Sequence, residues 1–389
     1  MSGNDAYGPP VAPARDAGVL EVACDESGSD GENLTGGNTD VFAHASVRLT
    51  VPEAAGHLRE IRDRIRSPAE EYKAGHLLRE KHRAVLEWLL APGGPIHGAA
   101  HVHLTEKSFF VVERTAGLLL GDGGPALPLF RAGPRVFGDV LWRDFLDAAN
   151  RLLRVRNGGE PVDVFFRAVG LLRRVEAGAE AADVLERFAA ARGHAEAHRA
   201  AILAGRPLIP VLNPLLPSIV RTAAYWTRGG RRVRLVHDRQ NLLTPDRIAW
   251  IEETARGSGI TLDGLRLVAA REDPRVQLAD FLAGIARKIG SDELHGRADP
   301  ALTSLLRPYV DAASVWGDER SRAPLVGRSA GPAPSADPDR AVRMAGRRGG
   351  APLSAPAPQH PSRPGTPVAA KRGEDRPRGE RGRARPRME

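Results

Sequence analysis

The sequence contains one cysteine, Cys24, among 389 residues, so no disulfide can form within the chain. A disulfide framework is excluded, and a reducing, cytoplasmic location is the expectation. Cys24 lies inside an apolar run, where a thiol packs as a small hydrophobe rather than serving as a nucleophile. No run of about 18 apolar residues occurs, which argues against a transmembrane helix and a membrane partner. The first residues, MSGNDAYGPPVAPARDAG, lack a basic head followed by an apolar segment and do not read as a signal peptide. There is no GxxxxGK[ST] phosphate loop, no GxSxG nucleophile elbow and no internal repeat. Aromatic residues are scarce at 5%, yet 42% apolar residues still allow a sizeable core.

The net charge of +8 belongs to one end of the chain. Sixteen of the 56 Lys and Arg, and eight of the 48 Asp and Glu, fall in residues 318–389, leaving forty of each sign in the body. The body therefore offers no bulk electrostatic case for a nucleic-acid partner, although local patches are open. The tail is dominated by Pro, Gly, Ala, Ser and Arg. It has too little apolar surface to offset its ordering entropy, so residues 318–389 are expected to be disordered. Residues 1–17 are expected to be loose as well. Residues 18–317 make one domain.

Within that domain the pattern is mixed. Residues 20–24 and 41–49 read as strands joined by the turn-rich SGSDGENLTGGNTD. A helix is expected over 52–66, another over 80–90, and a third strand over 97–106. Residues 109–215 are mostly helical, with helices at 137–154 and 182–204. RVRLV, residues 232–236, is a fourth strand, and Thr244-Pro245-Asp246 opens a helix to about 256. A fifth strand covers 265–270, and RVQLADFLAGIARKI closes the domain as a helix over 275–289. The layout is α/β, with one sheet and a helical insertion.

Three Asp residues adjoin apolar segments. Asp25 and Asp238 end strands in VLEVACDES and RVRLVHDRQ, and Asp280 stands on a helix of mostly apolar positions in VQLADFLAG. If the two strands are parallel neighbours, both carboxylates face one crevice beyond the strand ends. Carboxylates so close require a shared proton or a cation. Oxygen-only ligands suit Mg²⁺ or Mn²⁺. An Asp at a strand end also commonly caps a turn, and DESGSD suits that role. Glu71 and Lys73, in EEYKAGHLL, share a face if extended, and otherwise form an ordinary solvated salt bridge. His101 and His103 share a strand face and could bind Zn²⁺, but no third ligand appears at a suitable spacing. His237 points away from Asp238 and reads as a packing residue. The Arg-rich RLLRVR and LLRRVE read as solvated helix faces.

DESG at residues 25–28, EYK at 71–73, VHD at 236–238 and VQLADFLAG at 276–284 together resemble the domain of unknown function 3800 family. The likeness spans about residues 19–288. It implies a ribonuclease H-like mixed five-stranded sheet flanked by helices, whose first and fourth strands are adjacent and parallel and whose fifth is followed by a closing helix; the order read from the residues agrees and adds the helical insertion between strands three and four. It also implies an acidic set of Asp25, Asp238 and Asp280, with Glu71 as a fourth member and Glu26 as an alternative ligand. Lys73 and Lys107 become cations on the phosphate side. The expected function is a metal-dependent phosphodiester hydrolase, a nuclease with a two-metal carboxylate cluster and a nucleic-acid partner. The alternatives are a non-catalytic nucleic-acid- or protein-binding module of the same fold, in a defence or mobile-element context, and a nucleotide hydrolase.

Overall fold

The computed structural model describes residues 18–66, 73–121, 125–156, 159–205 and 209–327. Glu71 and both ends expected to be disordered, 1–17 and 328–389, lie outside the described residues.

The sheet has five strands: β1 (Leu20–Ser27), β2 (Val41–Val47), β3 (Ala100–Glu106), β4 (Val233–Asp238) and β5 (Leu262–Val268). Their order is β3-β2-β1-β4-β5. The first three are antiparallel, and β1, β4 and β5 run parallel. β1 runs three residues past the end expected from sequence, because Asp25, Glu26 and Ser27 still pair with Ala45, His44 and Ala43 of β2. Asp25 is thus a strand residue rather than a turn cap.

Helix α1 (Val51–Ile65) follows β2, opened by a capping box between Thr50 and Glu53. A short α2 (Ala74–Leu77), a 3-10 turn at Glu80–His82 and α3 (Arg83–Leu90) lead to β3, so the single helix expected over 80–90 is divided. The insertion comprises α4 (Lys107–Leu120), α5 (Ala126–Phe137), α6 (Asp139–Leu153), α7 (Pro161–Leu172), α8 (Ala179–Ala190) and α9 (Arg192–Ala204). The helix expected over 182–204 breaks at Ala191, whose backbone leaves the helical region. The scarce aromatics concentrate in this insertion, where Phe110, Trp142, Phe145, Phe165 and Phe188 make a separate core.

Helix α10 (Leu215–Trp226) covers one face of the sheet together with α11 (Pro245–Gly257). Helix α12 (Pro274–Leu294) covers the other, against β1 and β2. Asp273 caps α12, accepting from the Arg275 N–H at 2.9 Å. α13 (Pro300–Leu306) and α14 (Glu319–Val326) complete the described fold. The expected tail boundary at 318 is thus too early: α14 buries Leu325 in the core against the sheet. Among the described residues no helix is long and apolar enough to cross a membrane.

Candidate functional site

Strand alternation divides the polar residues of β1 between the two faces of the sheet. Asp25 lies on the α12 side with Ala23, Ala45 and Val236. Glu26 lies on the α10 side with Cys24, His44 and His237. Both occupy the carboxyl end of β1, beside Asp238 at the carboxyl end of the parallel β4. Asp280 arrives from α12 above them.

Asp25 is 6% exposed. Its Oδ1 accepts the Glu26 N–H at 2.7 Å. Burial first, then the charges of Glu26, Asp280 and Asp238, push its carboxyl up to about 9. Of the three Asp residues expected to converge, Asp25 thus feels both of the others. Asp238 is fixed through Oδ1, which accepts the Ala270 N–H at 2.8 Å and ties the end of β4 to the turn after β5. Asp280 lies 3.5 Å from the Lys73 Nζ. Lys73 precedes α2, and α2 approaches α12 closely because residue 284 is glycine: a Cβ there would come 2.3 Å from that of Ala74.

Glu26 stands apart from this group. Its Oε1 accepts from the Gln240 side chain, and its Oε2 is buried with no hydrogen-bond partner, 3.8 Å from His237 Nε2. Expected as an alternative ligand, it lies instead on the opposite side of the sheet from the Asp25 carboxylate. Lys107 also departs from its expected role. Its side chain is buried and its ammonium bonds Asp30 and Thr39 within the loop after β1. That ammonium is spent on structure rather than turned toward a phosphate. Asn150 of the insertion pins the same loop, accepting from Leu34 N–H and donating to the Glu32 carbonyl, each at 2.9 Å.

The α10 face holds a buried histidine layer that sequence spacing does not reveal. His237 Nδ1 lies 2.9 Å from the Asp238 carbonyl and must donate to it. His237 Nε2 is hydrogen-bonded to His44 Nε2 at 3.2 Å, and His44 Nδ1 to the Thr222 hydroxyl at 2.8 Å. His237 is thus buried in the polar packing of this face. Burial, and then His237, hold the His44 imidazole well below its ordinary range. His101 and His103 find a third group in Asp311, whose Oδ2 lies 3.2 and 3.8 Å from them. Asp311 arrives on a segment that bridges to the free edge of β3.

Does this edge suit a divalent ion? Its donors are carboxylate oxygens, the chemistry Mg²⁺ and Mn²⁺ prefer. Burial, and then the charges of Glu26, Asp280 and Asp238, favour the neutral form of Asp25, so a positive charge would be welcome there. Among the described residues, however, no group of three or more His, Cys, Asp or Glu stands ready to hold a metal ion. The donor chemistry fits an ion; closure on one needs movement of side chains or a further ligand. Arg287, unremarked in the sequence, stands seven residues beyond Asp280 on α12, where helical spacing returns to the same face. Compared with family models, curated proteins and solved structures, the chain matches none.

Proposed function

We propose that the carboxyl edge of β1 and β4 is the active site of a metal-dependent phosphodiester hydrolase with a ribonuclease H-like fold. The observation that carries this reading is the buried carboxyl of Asp25, raised first by burial and then by the charges of Glu26, Asp280 and Asp238, the last two from other elements. A structural carboxylate would be matched with a cation, as Asp30 is with Lys107. A buried carboxyl facing part-exposed carboxylates of two other elements costs stability and calls for a use. Asp25, Asp238 and Asp280 would hold Mg²⁺ or Mn²⁺. A bound ion would supply an activated water and charge neutralisation at the leaving oxygen.

The residues of the chain set the conditions for that chemistry. Asp25 would have to give up its proton to ligate an ion, so ion binding at neutral pH would be coupled to proton release. The Ala270 N–H holds the Asp238 carboxylate in place. Lys73, exposed beside Asp280, would meet an incoming phosphate. No protein nucleophile is needed, which agrees with a buried Cys24 whose thiol is pushed up by burial.

One observation favours a second reading, a non-catalytic nucleic-acid- or protein-binding module of the same fold. It is the lack, among the described residues, of three side chains already disposed around an ion. Thermal denaturation in rising Mn²⁺, with single- and double-stranded DNA and RNA as cleavage substrates, separates the two. The hydrolase predicts stabilisation by Mn²⁺ that Asp25→Asn and Asp238→Asn abolish, with cleavage lost in both. A module predicts neither response.

A further inference from the structure

We infer that His101, His103 and Asp311 form a structural zinc site that fastens the segment after α13 to the free edge of β3. β2 separates this strand from β1 and the acidic edge, and the inference does not depend on the hydrolase reading.

The backbone brings the three together. His101 and His103 share one face of β3, opposite Ser46 and His44 of β2. Val102, between them, accepts the Asp311 N–H on its carbonyl at 2.8 Å. The Leu104 carbonyl accepts the Val315 N–H at 2.9 Å, and the Leu104 N–H donates to the Ser314 hydroxyl at 3.0 Å. Asp311 is thus set beside both rings by hydrogen bonds on either side of it. Its Oδ1 accepts the Ala313 N–H at 3.0 Å, which fixes the carboxylate. Its Oδ2 lies 3.2 Å from His101 Nε2 and 3.8 Å from His103 Nδ1. Tyr225 of α10 stacks on His101 with ring centres 3.7 Å apart and holds the plane of that imidazole.

Three nitrogens of this group, His101 Nδ1, His101 Nε2 and His103 Nδ1, are buried with no hydrogen-bond partner among the described residues. Both histidines are 2% exposed. At 3.2 Å an aligned His101 N–H would bond Asp311, and the contact misses that alignment. Atoms that are close without being aimed at one another suit two ligands of a common ion. Ligands at about 2.0–2.1 Å from a tetrahedral ion stand about 3.4 Å apart, and the two distances to Oδ2 bracket that value. Among the described residues no trio is already closed around an ion. The longer distance shows what has to move: the His103 ring must turn by a few tenths of an ångström. A bound ion would take up two of the three orphaned nitrogens, whose burial otherwise costs stability. Burial holds the His101 imidazole below its ordinary range, which keeps the ring neutral, the form a metal requires. Two imidazoles and a carboxylate suit Zn²⁺. Ligands so deeply buried give a substrate no approach, so the ion would serve structure.

The test is the zinc content of the full-length chain after loading with Zn²⁺ and dialysis, together with the Zn²⁺ affinity of the EDTA-stripped chain against a chromophoric chelator. The parent is expected to hold about one Zn²⁺ per chain. Asp25→Asn at the acidic edge, and His97→Ala at an exposed histidine, should hold the same amount. His103→Gln and Asp311→Asn should lose the ion, with affinity lower by about 100-fold or more. X-ray absorption at the zinc edge of the loaded parent requires no variant to fold, and should show two imidazoles and at least one oxygen around the ion. A parent that retains no stoichiometric zinc, or zinc ringed by oxygen alone, overturns the inference. So does unchanged affinity in folded His103→Gln and Asp311→Asn. Zinc lost in Asp25→Asn and kept in Asp311→Asn would put the ion at the acidic edge and overturns it as well.

Discussion

Asp25 and Glu26 are neighbours in the chain and occupy opposite faces of one sheet: Asp25 meets the charge of Asp280 from α12, while Glu26 lies 3.8 Å from His237. The carboxylate on the α12 face is crowded by like charges, and the one on the α10 face keeps a bare oxygen.

The raised carboxyl of Asp25 makes stability depend on pH in a definite direction. In the folded chain its proton is held up to about pH 9, whereas in the unfolded chain it leaves near the ordinary value of 3.8. Between those values the folded state binds more protons, so stability falls as pH rises. Asp25→Asn removes this loss. In metal-free buffer the variant should melt higher than the parent at pH 8, by about 2 kcal/mol or more, and equal to it near pH 4. Calorimetric melting at both pH values checks this.

His198 on α9 acts in the opposite sense. Burial, and then Arg199, lower its imidazole to about 4, and its Nε2 is buried without a partner. From about pH 6.5 down to about 4 the unfolded chain takes up a proton that the folded chain refuses, so stability is lost on acidification. His198→Gln should reduce the loss between pH 7 and pH 4.5 by about 2 kcal/mol, measured as the difference in urea midpoints between variant and parent.

Gly284 sets the approach of α2 to α12. Its replacement by Ala places a Cβ 2.3 Å from that of Ala74, and backbone must shift. Gly284→Ala should cost about 1–3 kcal/mol and displace Lys73 from Asp280. Ala74→Gly/Gly284→Ala should recover most of the loss. Non-additivity in a double-mutant cycle is the readout.

Lys107 is assigned to structure rather than to substrate. Lys107→Met leaves Asp30 without its buried cation and should cost about 3 kcal/mol. Lys107→Met/Asp30→Asn should recover a large part of it. Nucleic-acid affinity of the folded fraction should be unchanged, which a phosphate-binding lysine would not allow.

Much of the acidic edge was legible in the sequence because periodicity exposes it. Asp25 and Asp238 follow short apolar runs, and Asp280 is an acid among apolar helical positions. The parallel neighbourhood of β1 and β4 agreed with the family likeness. The rest was hidden for physical reasons. The end of β1 depends on pairing with β2, so the face taken by Glu26 could not be known. The burial of Lys107 depends on Asp30 and Thr39, reached only when the loop folds back. The partners of His44 come from β4 and α10, and Asp311 meets His101 from a segment with no strand pattern of its own. α14 was lost in a Pro- and Arg-rich context, where one buried apolar residue, Leu325, gives too faint a signal. Arg287 was available in principle, two helical turns from Asp280.

A crystal soaked in Mn²⁺, with diffraction collected at the manganese absorption edge, tests the central claim most directly. The account predicts anomalous density bounded by carboxylate oxygens of Asp25, Asp238 and Asp280, lost in Asp25→Asn. Bound manganese elsewhere, or none at saturating concentration with the three side chains unmoved, would contradict it.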